Sequence, residues 1–529
     1  MPMKYLYNAK VLTFNPNSPI ASAVVIDGKH IYAVGENEVK DLGGRNIESE
    51  DMHGRTIIPG LTDSHLHLQD YSLSITIIHC EGISKEECLE KVRDQASRSP
   101  AGGWIRGHGW NQNDWGGEWP TRRELDEASL GLPVYLTAKS LHAGWASKKA
   151  LELAGIQSGS PDPENGRILR DESGMPSGIL LEEAMKIVER EIPEPDPLVL
   201  ADIFQKETIP TLWRLGITGV HDFDKRTCLR ALQILHERNQ LNFRVNKSIP
   251  YEDFQSAINL GVGTGFGDDT LRLGSLKLFA DGALGPHTGA LFEPYEDDPK
   301  NFGILKLKSE DIFEIGCKAA EVGISLAVHA IGDRASQEVL DGLEKLRDHE
   351  RQNNLPALRH RIEHVQTIHP EDAKRFSQLN IIASMQPSHA ISDMEIADLF
   401  LGKRSSTSYA WKMQLENSSR LIFGSDAPVE EPNPFHGIHA AITRRRLDGY
   451  PGKEGWFPEQ RIGLKETIEA YTITPAYAAG LEHVLGRISP GYLADLIVME
   501  DDPFTVETDS IYNLAPIATM VGGVWVWRA

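Results

Sequence analysis

Cysteine is scarce: Cys80, Cys88, Cys228 and Cys317 are the whole complement, and no two stand at CxxC spacing. That argues against a disulfide scaffold and a thiolate zinc site, and it suits a reducing compartment. Positive charge is in the minority, with 54 Lys and Arg against 76 Asp and Glu, a net charge of −22. A nucleic acid or an anionic membrane rewards basic patches, so neither is expected as a partner. No apolar run approaches the roughly 18 residues of a membrane span. The opening stretch MPMKYLYNAKVLTF also lacks the apolar core of a signal peptide. A cytoplasmic enzyme is the expectation. No G-x-G-x-x-G follows an early strand, which removes the dinucleotide fingerprint.

What is present is alternation. The segments at 216–223, 243–249, 273–281, 324–330, 360–365, 381–386 and 420–426 are short, β-rich and mostly apolar. Amphipathic stretches such as 225–239 and 309–322 separate most of them, a pattern of parallel βαβ units. With a first strand around 61–68 and another near 76–80, there are enough to close a (β/α)₈ TIM barrel. The two ends differ from this middle. AVVIDGKHIYAVG turns at Asp27-Gly28, and RISPGYLADLIVM and IATMVGGVWVW turn at Pro490-Gly491 and Gly522-Gly523, all hairpin-like signals. They predict an α/β chain in which 1–59 and 487–529 form one small β-sandwich domain and 60–486 form the barrel. The segment at about 102–197, rich in Gly, Pro and Trp, does not fit the repeat. It reads as a large insertion near the barrel mouth that sets substrate choice.

The polar residues of the barrel strands carry the chemistry. In Thr62-Asp63-Ser64-His65-Leu66-His67, the period of two puts His65 and His67 on one face, a natural two-imidazole metal clamp. Lys277 interrupts an apolar strand, where an ammonium is costly unless neutralised or modified. His329 ends ISLAV, His364 ends HRIEHV, and Asp426 ends RLIFGSD. Each lies at the C-terminal end of a buried strand, where barrel active sites assemble. His329 and His364 are 35 residues apart and His364 and Asp426 are 62 apart, about one and two βα units. A metal site is the economical explanation of the set.

Taken together, PGLTDSHLHL, the strand lysine, HAIGDRA, RIEHVQ and FGSDAPVE resemble the amidohydrolase superfamily, in the branch of N-substituted formamide deformylases. The likeness covers nearly the whole chain, including WIRGHGWN and LTAKSLHAGWASKKAL. It implies two divalent metal ions, zinc first with manganese or iron as alternatives. His65 and His67 with Asp426 would hold the more buried ion, and His329 and His364 the more exposed one. It also implies a Lys277 carboxylated on its side-chain nitrogen to bridge them. The implied reaction cleaves an amide-type C–N bond of a small-molecule N-formyl or N-acyl amine. Metal-activated hydroxide attacks, with Asp426 as general base.

Further residues are expected at the pocket. The resemblance implies that His142, after the strand PVYLTA, faces the site as a catalytic group; a surface histidine is its alternative. Trp110 is a candidate substrate wall or a core residue. Asp281 is a candidate to bind substrate or cap its loop, and His389 to line the mouth. Asp63 is expected to orient a ligand imidazole. His287 stands where relatives carry other polar residues. A cyclic-amide or lactone hydrolase, and a non-catalytic binding protein keeping the fold, are the competing functions. A homodimer is compatible with the sequence.

Overall fold

The structure is a computed structural model that describes residues 3–36, 47–100, 102–140, 142–164 and 166–529. The chain divides into two compact units, one of Met1–Ser72 with Pro197–Ala529 and one of Leu73–Asp196. Among the described residues no helix is long and apolar enough to cross a membrane.

The first unit holds eight parallel strands in sequential order: β1 (Leu61–Leu66), β2 (Ile217–Asp222), β3 (Arg244–Pro250), β4 (Leu271–Phe279), β5 (Leu326–Ala330), β6 (Arg361–His364), β7 (Ile382–Met385) and β8 (Arg420–Phe423). The seam between β8 and β1 is bonded only near the strand ends. Asp426 N donates to His65 O at 2.7 Å and His67 N to Ala427 O at 2.9 Å, so the barrel is nearly closed. Side-chain alternation explains the strands. In β4, Leu276 and Leu278 join the apolar layer beneath the helices, with Ile312, Leu343 and Phe376. Lys277 between them lies on the opposite, inward face. The intervening helices supply the other half of that layer. In Arg226–Glu237, Cys228, Ala231, Leu232 and Leu235 are buried, the i, i+3, i+4, i+7 stripe of an amphipathic helix. Pro387 opens the helix Pro387–Leu401, where its fixed φ and missing N–H are tolerated.

Strands from both chain ends form two further sheets. One comprises Met3–Tyr7, Ala23–Asp27, His30–Gly35 and Ile47–Asp51. The other comprises Lys10–Leu12, Ile20–Ala21, Thr56–Pro59, Leu496–Met499, Pro516–Val521 and Val524–Arg528. Leu6, Val24 and Ile26 from the first meet Val11, Ile57, Leu496 and Met520 from the second in one apolar cluster.

The second unit has a six-stranded sheet whose members include Ile105–Trp110, Val134–Ala138 and Ala143–Ala146. Its edge strand is Ile78–His79, which corrects the expectation of a barrel strand at 76–80. A short apolar run between two helices carries the same signal in either sheet, so its pattern could not choose between them. The compact unit thus begins well ahead of the Gly- and Trp-rich composition at residue 102.

Candidate metal centre

Register brings the barrel's polar residues together at the C-terminal ends of the strands. Phe279 pairs with His329, His329 with Glu363, and Glu363 with Ser384. His65 and His364 ring centroids are 4.9 Å apart, and those of His329 and His364 are 4.5 Å apart. Asp426 follows β8 across the seam. Its Oδ1 lies 3.4 Å from His65 Nε2 and 3.5 Å from His67 Nε2. Backbone conformation is unusual at two of these positions: His364 and Asp426 have φ of 74° and 61°. Left-handed backbone at a non-glycine residue is costly and gathers at functional sites.

Each imidazole has one nitrogen committed. His65 Nδ1 contacts Glu363 Oε2 at 2.6 Å, His67 Nδ1 contacts Asp224 Oδ1 at 3.0 Å, and His364 Nδ1 contacts Gln386 Oε1 at 2.9 Å. These contacts leave Nε2 of all three turned to the centre. His329 instead donates Nε2–H to Gly282 O at 2.8 Å, which leaves Nδ1. Burial, reinforced by the charge of Lys277, holds His65 well below the ordinary histidine value and His329 at about 3. Burial also depresses His364 strongly. All three are therefore neutral, the form that offers a lone pair to a metal. For His67 burial opposes the charge, but the hydrogen bond and charge of Asp224 outweigh it and raise its pKa.

Lys277 is buried, with Nζ 4.6 Å from the Phe223 ring centroid and 4.9 Å from that of Phe279. Burial pulls its pKa down to about 8 against the nearby carboxylates Glu363 and Asp426. Below the centre, Arg361 closes the barrel interior. It pairs with Glu363, and its guanidinium donates to Ser64 O and Ser384 Oγ and reaches His221 Nδ1, each at 2.8 Å.

The partners of the imidazoles differ from those expected. Asp63 is buried but accepts from the backbone N–H of His65 and from the N–H and hydroxyl of Ser425. It fixes the seam and touches no imidazole ring. The carboxylates that orient rings are Glu363 and Asp224. The i, i+2 acids Asp222 and Asp224 at the end of β2, and Arg361 and Glu363 in β6, were the available sequence signals. Asp222 accepts from Leu68 N at 2.8 Å and is paired with the buried Lys247 at 2.9 Å, so this strand end holds the turn carrying His67.

The remaining candidates separate. Asp281 accepts from the backbone N–H groups of Ala290, Ile331 and Gly332. It therefore caps loops, the alternative to substrate binding. Trp110, in the second unit, is fully buried against Trp115 and Trp145, and its N–H bonds Leu136 O. It packs as core, the alternative to a substrate wall. His142 also lies in the second unit, with its side chain 71% exposed and Nδ1 3.1 Å from Glu182. His287 packs on Tyr295 and Phe400 and pairs with Asp297. His389, in the first turn after β7, does reach the centre, with Nε2 3.8 Å from Asp426 Oδ2. Phe279, 48% exposed, is the apolar surface beside His329.

A family model described as Amidohydrolase family matches residues 48–527. The protein LONG AFTER FAR-RED 3 of Arabidopsis thaliana is 32% identical, covering 98% of this chain and 90% of that one. The N-substituted formamide deformylase of Arthrobacter pascens is 28% identical over 98% of this chain and 97% of its own. Among solved structures, an uncharacterized metal-dependent hydrolase from Pyrococcus furiosus superposes with a TM-score of 0.80 at 28% identity. That match covers 95% of this chain and all of the other.

Proposed function

Since the chain belongs to the amidohydrolase family, we propose that it is a metal-dependent hydrolase of exocyclic amides, N-formyl or N-acyl amines in class. The observation that carries this is the spacing of His65, His67 and Asp426. Their ligand atoms are grouped closely enough to hold an ion, and the buried His65 Nε2 has no hydrogen-bond partner. Separations of 3.4 and 3.5 Å are long for N–H···O bonds. They match the roughly 3.4 Å edge between ligands each about 2.1 Å from a tetrahedral ion. The donor set thus fits a metal.

Two divalent ions, zinc or alternatively manganese or iron, would be held by His65, His67, His329, His364, Asp426 and a carboxylated Lys277. They would supply Lewis acidity toward water and the amide carbonyl. Carboxylation suits Lys277 because it turns a costly buried ammonium into an anion among imidazoles. The chain's own part in the reaction is proton management. A free oxygen of Asp426 accepts the proton of the attacking water and returns it to the amide nitrogen as the C–N bond breaks. Acid and amine are the products. Phe279 offers an apolar face to one substituent. The relative that acts on N-substituted formamides supports the formyl class.

The test is turnover of formamides, N-acyl amines and lactones by metal-loaded protein. Amide cleavage should disappear with chelator and return with metal, and Asp426→Asn should lower kcat by about 10²-fold or more. Turnover of lactones alone would reassign the substrate, and metal-independent amide cleavage would end the proposal.

A further inference from the structure

The two oxygens of Asp426 face different histidines. Oδ1 faces His65 and His67, whereas Oδ2 lies 3.8 Å from His389 Nε2. That nitrogen is buried and has no hydrogen-bond partner, and the residue as a whole is only 9% exposed. A buried imidazole nitrogen without a partner is unusual, because buried polar atoms are nearly always satisfied. At 3.8 Å Asp426 does not satisfy it. The His389 ring lies parallel to that of His364, with an interplanar angle of 10° and centroids 6.1 Å apart. His364 has Nδ1 committed to Gln386, so its free Nε2 is the ligand atom on offer. Ligand atoms of His364, His389 and Asp426 lie within 4.8 Å of one another, a second three-residue group beside that of His65, His67 and Asp426.

From this geometry we propose that His389 is itself a metal ligand, completing with His364 and His329 the outer position beside Oδ2 of Asp426. Oδ1 of Asp426 serves the inner position, and Oδ2 stays free as the proton acceptor. The proposal rests on the metal-dependent reading above and adds to it a ligand from the loop after β7. It replaces the expectation that His389 contacts substrate. The local fold supports it: Pro387 starts the helix at a fixed point, so His389 sits in a first turn whose direction is set by the strand end. His329, whose Nε2 is spent on the Gly282 carbonyl, offers its Nδ1 on the same side.

The experiment measures metal binding. Full-length wild type, His389→Ala and His389→Cys are stripped and reloaded with Zn²⁺ or Co²⁺. Metal per chain and affinity by chelator competition are then read, with circular dichroism as the check on folding. Wild type should hold two ions. His389→Ala should keep one and lose the other, or bind it more weakly by over about 100-fold, beyond the effect of removing an outer-shell partner. In His389→Cys loaded with Co²⁺, a thiolate-to-cobalt charge-transfer band absent from wild type should appear, a readout that survives if the alanine variant fails to fold. Two ions at unchanged affinity in His389→Ala would overturn the inference, even if KM rose, and so would a Co²⁺-loaded cysteine variant with no new band. Wild type that binds no ion would instead bring down the metal-dependent reading itself.

Discussion

Glu363 shows how one side chain serves stability and function together. It takes the ring N–H of His65 on one side and the Arg361 guanidinium on the other, all of them buried. The carboxylate makes the imidazole a better donor at its far nitrogen and fixes the ring's orientation. Glu363→Gln keeps the shape and removes the charge. It should weaken metal binding by about 10- to 100-fold, as loss of an outer-shell partner does. The same change leaves a guanidinium in the barrel interior with a neutral partner, at a stability cost on the order of 3 kcal/mol. Chelator competition and denaturant unfolding measure the two effects separately. Unchanged metal affinity in a folded variant would show that His65 is oriented by its packing against Phe223 alone, whose ring lies 4.2 Å away.

At the scale of strands, the polar positions at strand ends were legible because each broke an apolar run of period two. Lys277, His329, His364 and Asp426 could be singled out without knowing what they faced. Their partners could not. Glu363 is 298 residues from His65 and Asp224 is 157 from His67, so no local pattern links them, and only barrel closure does. The short strand Ile78–His79 was misplaced for the same reason, since pairing partners decide its sheet. Closure itself depends on a glycine. At Gly424, between β8 and Asp426, a Cβ would run into the backbone of His65 and the Asp63 carboxylate. Gly424→Ala should therefore push the seam apart, costing about 1–3 kcal/mol as an overpacked site, and lower metal content because the His65 backbone must move. Wild-type stability with full metal content in this variant would show that the seam is more compliant than its packing implies.

For the molecule as a whole, the barrel and the C-terminal strands are joined at the end of the barrel away from the metal centre. Arg244, first residue of β3, is bidentate to Asp495, with both bonds at 2.8 Å, and donates a third to Asp269 O. Asp495 is buried and also accepts from Gly522 N, while its carbonyl accepts from Gly60 N just ahead of β1. Thr519 donates to Trp213 O in the same region. The hairpin signals at the two termini announced strands here, but this ion pair spans 251 residues and follows only from the assembled unit. Residues at the N-terminal face of a barrel serve stability and those at the C-terminal face serve chemistry. Arg244→Ala should therefore destabilise by about 3–5 kcal/mol, because it strands a buried carboxylate, while metal stoichiometry stays at the wild-type value. The double replacement Arg244→Met with Asp495→Leu should recover much of the loss, since an apolar pair of similar volume carries no desolvation penalty. Thermal unfolding at fixed metal concentration, with metal analysis of each variant, tests both halves. If Arg244→Ala instead emptied the metal centre while stability held, the two faces of the barrel would be coupled rather than divided in their work.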